Sequence, residues 1–153
     1  MYQFLLLVSR QGKVRLSKFF CPLNGSDRQR ETKDVVSAVL QRSNGLCTVI
    51  EWKDIKIVYR RYASLYFIVG IDATDNELLA LEMIHHFVEV LDKYFGNVCE
   101  LDLIFNFHKV YYMVDELVIS GQLIESSKRV VLKQMLAQDA LMTDVESLKS
   151  TNK

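Results

Sequence analysis

The sequence predicts an α+β domain: a five-stranded, mostly antiparallel sheet flanked by helices, with additional helices towards the C-terminus. Two observations carry this. The runs "MYQFLLLVS" and "LYFIVGI" are apolar without alternation, as strands covered on both faces are. From Thr74 onward the apolar residues recur instead at helical spacing.

The first run, Met1 to Ser9, reads as a central strand, and "RQGK" supplies a glycine-containing hairpin turn. "VRLSKFF" follows as a more polar strand, with Val14, Leu16 and Lys18 on one face and Arg15, Ser17 and Phe19 on the other. That alternation leaves Arg15 exposed opposite Val14 and Leu16. Pro22 and "NGS" close the hairpin, and Ser26 with Gln29 fits a capping box. The helix it opens turns Val35, Val36, Val39 and Leu40 inward and stops at Asn44-Gly45. "CTVIEW" and "IKIVYRR" form a hairpin across Lys53-Asp54. After "YAS" comes the second doubly apolar strand. If the two central strands pair, the sheet order is 2-1-5-4-3.

In the second half, "TDNE" is a capping box opening at Thr74, and Leu78, Leu81, Ile84, Val88, Leu91 and Phe95 form the inner face of a long helix. Gly96 breaks it. The stretch "NVCELDLIFNFHKVYYMVDELVISG" gives one or two further helices ending near Gly121. These are apolar almost all round, which means burial on several sides. One side can face the sheet, and the other meets either a different protein or more of this chain. A last helix runs from about Ser127 to Met142, with Val131, Leu132, Met135 and Leu136 inward. Residues 1–142 form the domain, and residues 143–153 are a polar tail expected to fray.

Among 153 residues, Lys plus Arg and Asp plus Glu number 19 each, a balance unlike that of a nucleic-acid binder. Cys21, Cys47 and Cys99 form no CxxC pair and read as free thiols, small hydrophobes buried in a reducing compartment. No secretory signal and no run long enough for a bilayer span is visible, so the chain is expected to be cytosolic, with any membrane role peripheral.

The best lure towards catalysis is His85-His86 with Glu82 and Glu89, where Glu82–His85 and His85–Glu89 spacings let each pair meet on one helical face. A small metal-dependent enzyme using His85, His86 and Glu89 is one reading. A di-iron site would need a second Glu-x-x-His pair and a zinc protease His-Glu-x-x-His, and neither is present. Local ion pairs are the reading preferred. Glu100, Asp102, His108, Asp115 and Glu116 are scattered among apolar residues and define no converging acid–base pair. No GxSxG, Walker loop or GxGxxG occurs. No cofactor is implied. Arg10, Lys13, Arg15 and Lys18 crowd the first hairpin, and Arg60-Arg61 end the fourth strand. They are solvated strand charges or a place for an acidic residue or phosphate.

The strings "SRQGKVRLSKFF", "IEWKDIKIVYRRYASLYFIVGID" and "DNELLALEMIHHFVEVLDKYFGNVCELDLIFNFHKVYYMVDELVISGQL", together with "ESSK", closely resemble the small (sigma) chain of heterotetrameric clathrin adaptor complexes. The resemblance covers essentially residues 1–141. "SRQGKVRL", "RYASLYF" and "IFNFHKVYY" look most like the trans-Golgi and endosomal type, with the plasma-membrane endocytic type as the alternative.

This resemblance implies a longin-like fold and a non-catalytic subunit. It implies an obligate large-subunit partner, a medium and a second large subunit completing a heterotetramer, and clathrin reached indirectly. It also implies work at the cytosolic face of the trans-Golgi network, endosomes and clathrin-coated vesicles. The ligand implied is a membrane-cargo tail with an acidic dileucine signal. By residue-for-residue match, Ala63, Leu65, Val88, Val98 and Leu103 would help build the leucine pockets, Asn97 would contact the signal backbone, and Arg15 would meet its acidic residue. Two other readings stay open: Leu65, Val88 and Leu103 as plain core, and a purely scaffolding chain with an unused pocket.

Overall fold

A computed structural model describes residues 2–42, 48–119, 122–123 and 128–151. In chain order these are β1 (Tyr2–Ser9), β2 (Val14–Phe19), α1 (Gly25–Gln41), β3 (Val49–Trp52), β4 (Ile55–Tyr62) and β5 (Leu65–Asp72). Then follow α2 (Glu77–Phe95), α3 (Glu100–Phe105), α4 (Phe107–Leu117), β6 (Val118–Ile119), β7 (Gln122–Leu123) and α5 (Lys128–Thr151). The main sheet has the order β2-β1-β5-β4-β3, as the two doubly apolar runs predict. Every pairing in it is antiparallel.

The central strands are apolar on both sides because each side meets its own core. Leu5, Leu7, Phe67 and Val69 join Phe87, Leu91, Leu103 and Met113 under α2, α3 and α4. Phe4, Leu6, Val8 and Ile68 join Val35, Val36 and Val39 of α1. Close approach of β1 to β5 demands glycine at one place. A Cβ on Gly70 would lie 2.5 Å from Cε1 of the buried Phe4 ring.

Both expected capping boxes are displaced. α1 starts at Gly25 with Asn24 as N-cap, and Arg28 N–H donates to the Asn24 carbonyl at 2.9 Å, so Ser26 already lies inside the helix. α2 is capped by Asn76, whose side chain accepts from Leu78 N–H at 2.9 Å. Thr74 is held instead in a turn, closed by Asp75 N–H on the Asp72 carbonyl and Asp72 N–H on the Asp75 carboxylate. The inner face of α2 is accordingly Ala80, Met83, Ile84, Phe87, Val88, Val90 and Leu91, while Leu78 is 68% exposed. In α5, Met135 is buried and Leu132 packs on the core, but Leu136 is 62% exposed.

Gly96 ends α2 as expected, at φ +65°, with its N–H on the Asp92 carbonyl. The long apolar stretch divides into α3 and α4 around Asn106, and α4 ends at Leu117 in a short β6–β7 ladder that periodicity did not reveal. α5 extends to Thr151, beyond Met142. Asn44-Gly45, Cys47, Gly121, Ser127 and the Val131 side chain lie outside the described residues. Cys21 is half-buried and Cys99 exposed, so neither is the buried hydrophobe expected.

Candidate functional site

Ala63, Leu65, Val88, Asn97, Val98 and Leu103 belong to the segments where β4 turns into β5, α2 ends and α3 begins, whereas Arg15 stands on β2 at the other side of the sheet. Tyr62 pairs with Leu65, leaving Ala63 and Ser64 as a two-residue connection. Ala63 sits at φ +52°, which costs an L-residue about 1–2 kcal/mol. Across from it, Gly96 at φ +65° and Asn97 at φ +62° reverse the chain out of α2. Asn is among the few residues that tolerate this conformation. Ala63 and Asn97 are both exposed.

One carboxylate ties these turns together. The Tyr62 hydroxyl donates to Asp92 Oδ2, and Asp92 Oδ1 accepts from Val98 N–H at 3.0 Å. The bond to Asp92 raises the Tyr62 phenol above its ordinary pKa. Asp92 went unnoticed in the sequence, although a signal existed. An acid in the last turn of a helix opposes the macrodipole unless partners compensate it.

Leu65, Val88, Val98 and Leu103 all belong to the apolar cluster beneath α2. Leu65, Val98 and Leu103 are sealed within it, and Val88 keeps 8% of its surface accessible. Val88 also lines a hollow of about 280 Å³ with Phe67, Ile84 and Tyr62, rimmed by Arg60, Arg61, His85, Glu89 and Asp92. The hollow therefore has an aliphatic and aromatic floor and a charged edge.

Arg15 departs from the expected alternation. Leu7 pairs with Leu16 and Val8 with Val14, so Arg15 is the extra residue of a β-bulge. The bulge puts Leu16 in the α2-side core while Val14 faces Val36 and Leu40 of α1. Arg15 thus does not stand opposite both. It turns towards α3, where its Nε–H donates to Glu100 Oε1 at 2.7 Å, each side chain about a quarter exposed. The guanidinium is paired, not alone, and among the described residues its two Nη groups meet no acceptor. Two further contacts fix this edge: Lys18 Nζ to Asp115 Oδ1 at 2.8 Å, and the Tyr111 hydroxyl bridging Ser17 N–H and C=O.

Each histidine of the pair lies against a glutamate of its own helix. His85 Nε2 lies 3.1 Å from Glu89 Oε1 and His86 Nε2 lies 3.6 Å from Glu82 Oε1, each four residues apart. Glu82 thus meets His86, not His85 as its spacing suggested. Among the described residues no group of His, Cys, Asp and Glu is placed to hold a metal ion. No helix among them is long and apolar enough to cross a membrane.

The α3–α4 stretch resolves into two sides. Leu103, Val110, Met113, Val114 and Leu117 are buried, whereas Leu101, Ile104 and Phe107 are exposed and Phe105 is 77% exposed. Among the described residues, nothing covers this greasy outer side.

Residues 1–142 match the family described as clathrin adaptor complex small chain. The AP-1 complex subunit sigma-2 of Dictyostelium discoideum is 56% identical over 141 residues, covering 92% of each chain. The human AP-1 complex subunit sigma-1A is 47% identical over 150 residues, covering 98% of this chain and 95% of its own. In three dimensions the chain matches one in a homology model of the full-length AP-3 complex in a stretched open conformation. The TM-score there is 0.72 at 29% identity, over 99% of both chains, and the sheet with its helical layers is the longin-like fold expected. The chain belongs to the clathrin adaptor complex small chain family, and is a non-catalytic small subunit of a clathrin adaptor complex in vesicle transport.

Proposed function

We propose that this chain serves the trans-Golgi and endosomal type of adaptor and helps bind acidic dileucine signals in cargo tails. The AP-1 designation shared by the Dictyostelium and human relatives supports the type. The hollow at Val88, next to the turns at Ala63 and Asn97, is the observation that carries the cargo reading. At about 280 Å³ it suits an aliphatic side chain, below the roughly 300–1,000 Å³ of small-molecule pockets. Leu65, Val98 and Leu103 form the packed bed beside it, and the free Nη groups of Arg15 take the acidic residue. Each buried leucine contributes about 1.5–3 kcal/mol before the costs of association, which gives the modest affinity that reversible sorting needs.

The exposed Leu101, Ile104, Phe105 and Phe107 support an obligate large-subunit partner, within a heterotetramer that also holds a medium and a second large subunit and reaches clathrin indirectly. The working place is the cytosolic face of trans-Golgi, endosomal and coated-vesicle membranes. Residues 1–142, the span of the family match, are taken as the adaptor domain, with 143–153 as a polar extension.

Affinity purification of the tagged chain, followed by identification of the co-purifying large subunit, tests type and assembly together. Recovery of the trans-Golgi large subunit is expected, and recovery of the plasma-membrane one would reassign the chain. An acidic dileucine peptide titrated onto the purified complex should bind. A complex that assembles but ignores the peptide would make the chain a scaffold.

A further inference from the structure

Arg60 and Arg61 flank the Val88 hollow and have no part in the reading above. Both are exposed, and among the described residues neither meets a carboxylate. Arg61 Nε–H donates to the Ala63 carbonyl at 3.4 Å, which keeps that side chain at the turn. The acids at the same rim are engaged: Glu89 with His85, and Asp92 with Tyr62 and Val98.

Register places Arg60 relative to Arg15. Leu16, Leu7, Phe67 and Arg60 lie in one row across β2, β1, β5 and β4. Along β4, Ile57 and Tyr59 face α1 while Val58 faces α2, so alternation turns Arg60 to the α2 side. Arg15 reaches the same side through Glu100 of α3. The two strands that carry these arginines are three strand spacings apart, about 14 Å, the reach of about four extended residues. Phe67 and the hollow lie next to Arg60, at the far end of that path.

On the dileucine reading proposed above, we infer that Arg60, with Arg61 beside it, recognises an acidic side chain that follows the leucine pair in the same cargo peptide. A peptide whose acid sits at Arg15 and whose leucine fills the hollow has crossed the row, and continued in the same direction it passes Arg60. The Arg60 and Arg61 guanidiniums, which pair with neither Glu89 nor Asp92 of the same rim, complement a carboxylate on that continuation. The signal is then read at both ends, by Arg15 before the leucines and by Arg60 and Arg61 after them.

The test uses the assembled adaptor complex and two acidic dileucine peptides that differ only in Glu or Gln at the two positions after the leucine pair. Fluorescence anisotropy should show the Glu peptide binding about two- to five-fold tighter at low salt, with the gap closing as salt rises. In the Arg60→Gln/Arg61→Gln complex the Glu and Gln peptides should bind equally well, whatever affinity change the two peptides share. A gap that survives the double substitution, or no gap in the unaltered complex, overturns the assignment. So does loss of binding to anionic lipid vesicles with peptide discrimination intact, which would give these arginines to a membrane. If neither peptide binds the unaltered complex, the dileucine reading falls first and this one with it.

Discussion

Among the described residues, one face of the sheet is closed by one helix, α1, whose Val35, Val36 and Val39 meet Phe4, Leu6, Val8 and Ile68. The opposite face carries α2, α3 and α4 over a larger apolar cluster, with Met135 of α5 added to it. The outsides differ as well. α1 shows charge to its surroundings, with Glu31 accepting from Trp52 Nε1 at 2.9 Å and Lys53 Nζ at 2.6 Å. The α3–α4 layer shows Leu101, Ile104, Phe105 and Phe107. A face sealed by one amphipathic helix is finished within the chain, whereas a layer apolar on its outside calls for a partner. The candidate cargo hollow lies at the margin of that second face.

Substitutions can break or sharpen this contrast. The largest effect is expected for Leu65→Ser, which opens a cavity and buries a hydroxyl in the α2-side core; denaturant unfolding should show a loss of about 3–5 kcal/mol. Leu65→Ser therefore reports on the fold before it reports on cargo. Asp92→Ala removes the clasp between Tyr62 and Val98 and should cost about 2 kcal/mol in the same measurement, with weakened peptide binding. Val88→Asp, at the accessible edge of the hollow, should leave assembly intact and weaken an acidic dileucine peptide at least about ten-fold in a titration. Phe105→Ser should change the stability of the chain by no more than about 0.5 kcal/mol yet reduce recovery of the large subunit. An unfolded product would instead make that side part of the chain's own core.

The smallest effect belongs to the finished face. Burial raises the Glu31 pKa, but the bonds from Lys53 and Trp52 outweigh it and leave the carboxyl below its ordinary 4.5. A depressed carboxyl contributes stability above its unfolded pKa and loses it as pH falls through the folded one. Unfolding curves should therefore show a small loss below about pH 4.5, absent in Glu31→Gln.

Strand order was readable because burial on both faces suppresses polar alternation, and only β1 and β5 show that pattern. Helix starts were less readable. Asn24 and Asn76 each stand two residues from the Ser26 or Thr74 that a capping box would choose, and neighbouring turns decide between them. The bulge at Arg15 leaves no mark in the sequence, since alternation continues on paper while the register slips by one. The site residues came from the family resemblance. Periodicity alone assigns Leu65, Val88 and Leu103 to the core, and the burial of Leu65 and Leu103 agrees with that. Only the fold reveals that Val88 reaches a hollow and that Asp92 holds its rim.

The central claim is that a cargo leucine enters the hollow beside Val88. An acidic dileucine peptide carrying a photoreactive leucine at either position of the pair, irradiated on the assembled complex and mapped by mass spectrometry, tests it directly. Cross-links in the β5 and α2 segments around Phe67, Ile84 and Val88, competed by unlabelled peptide, are predicted. Competed cross-links confined to other segments or other subunits would contradict it.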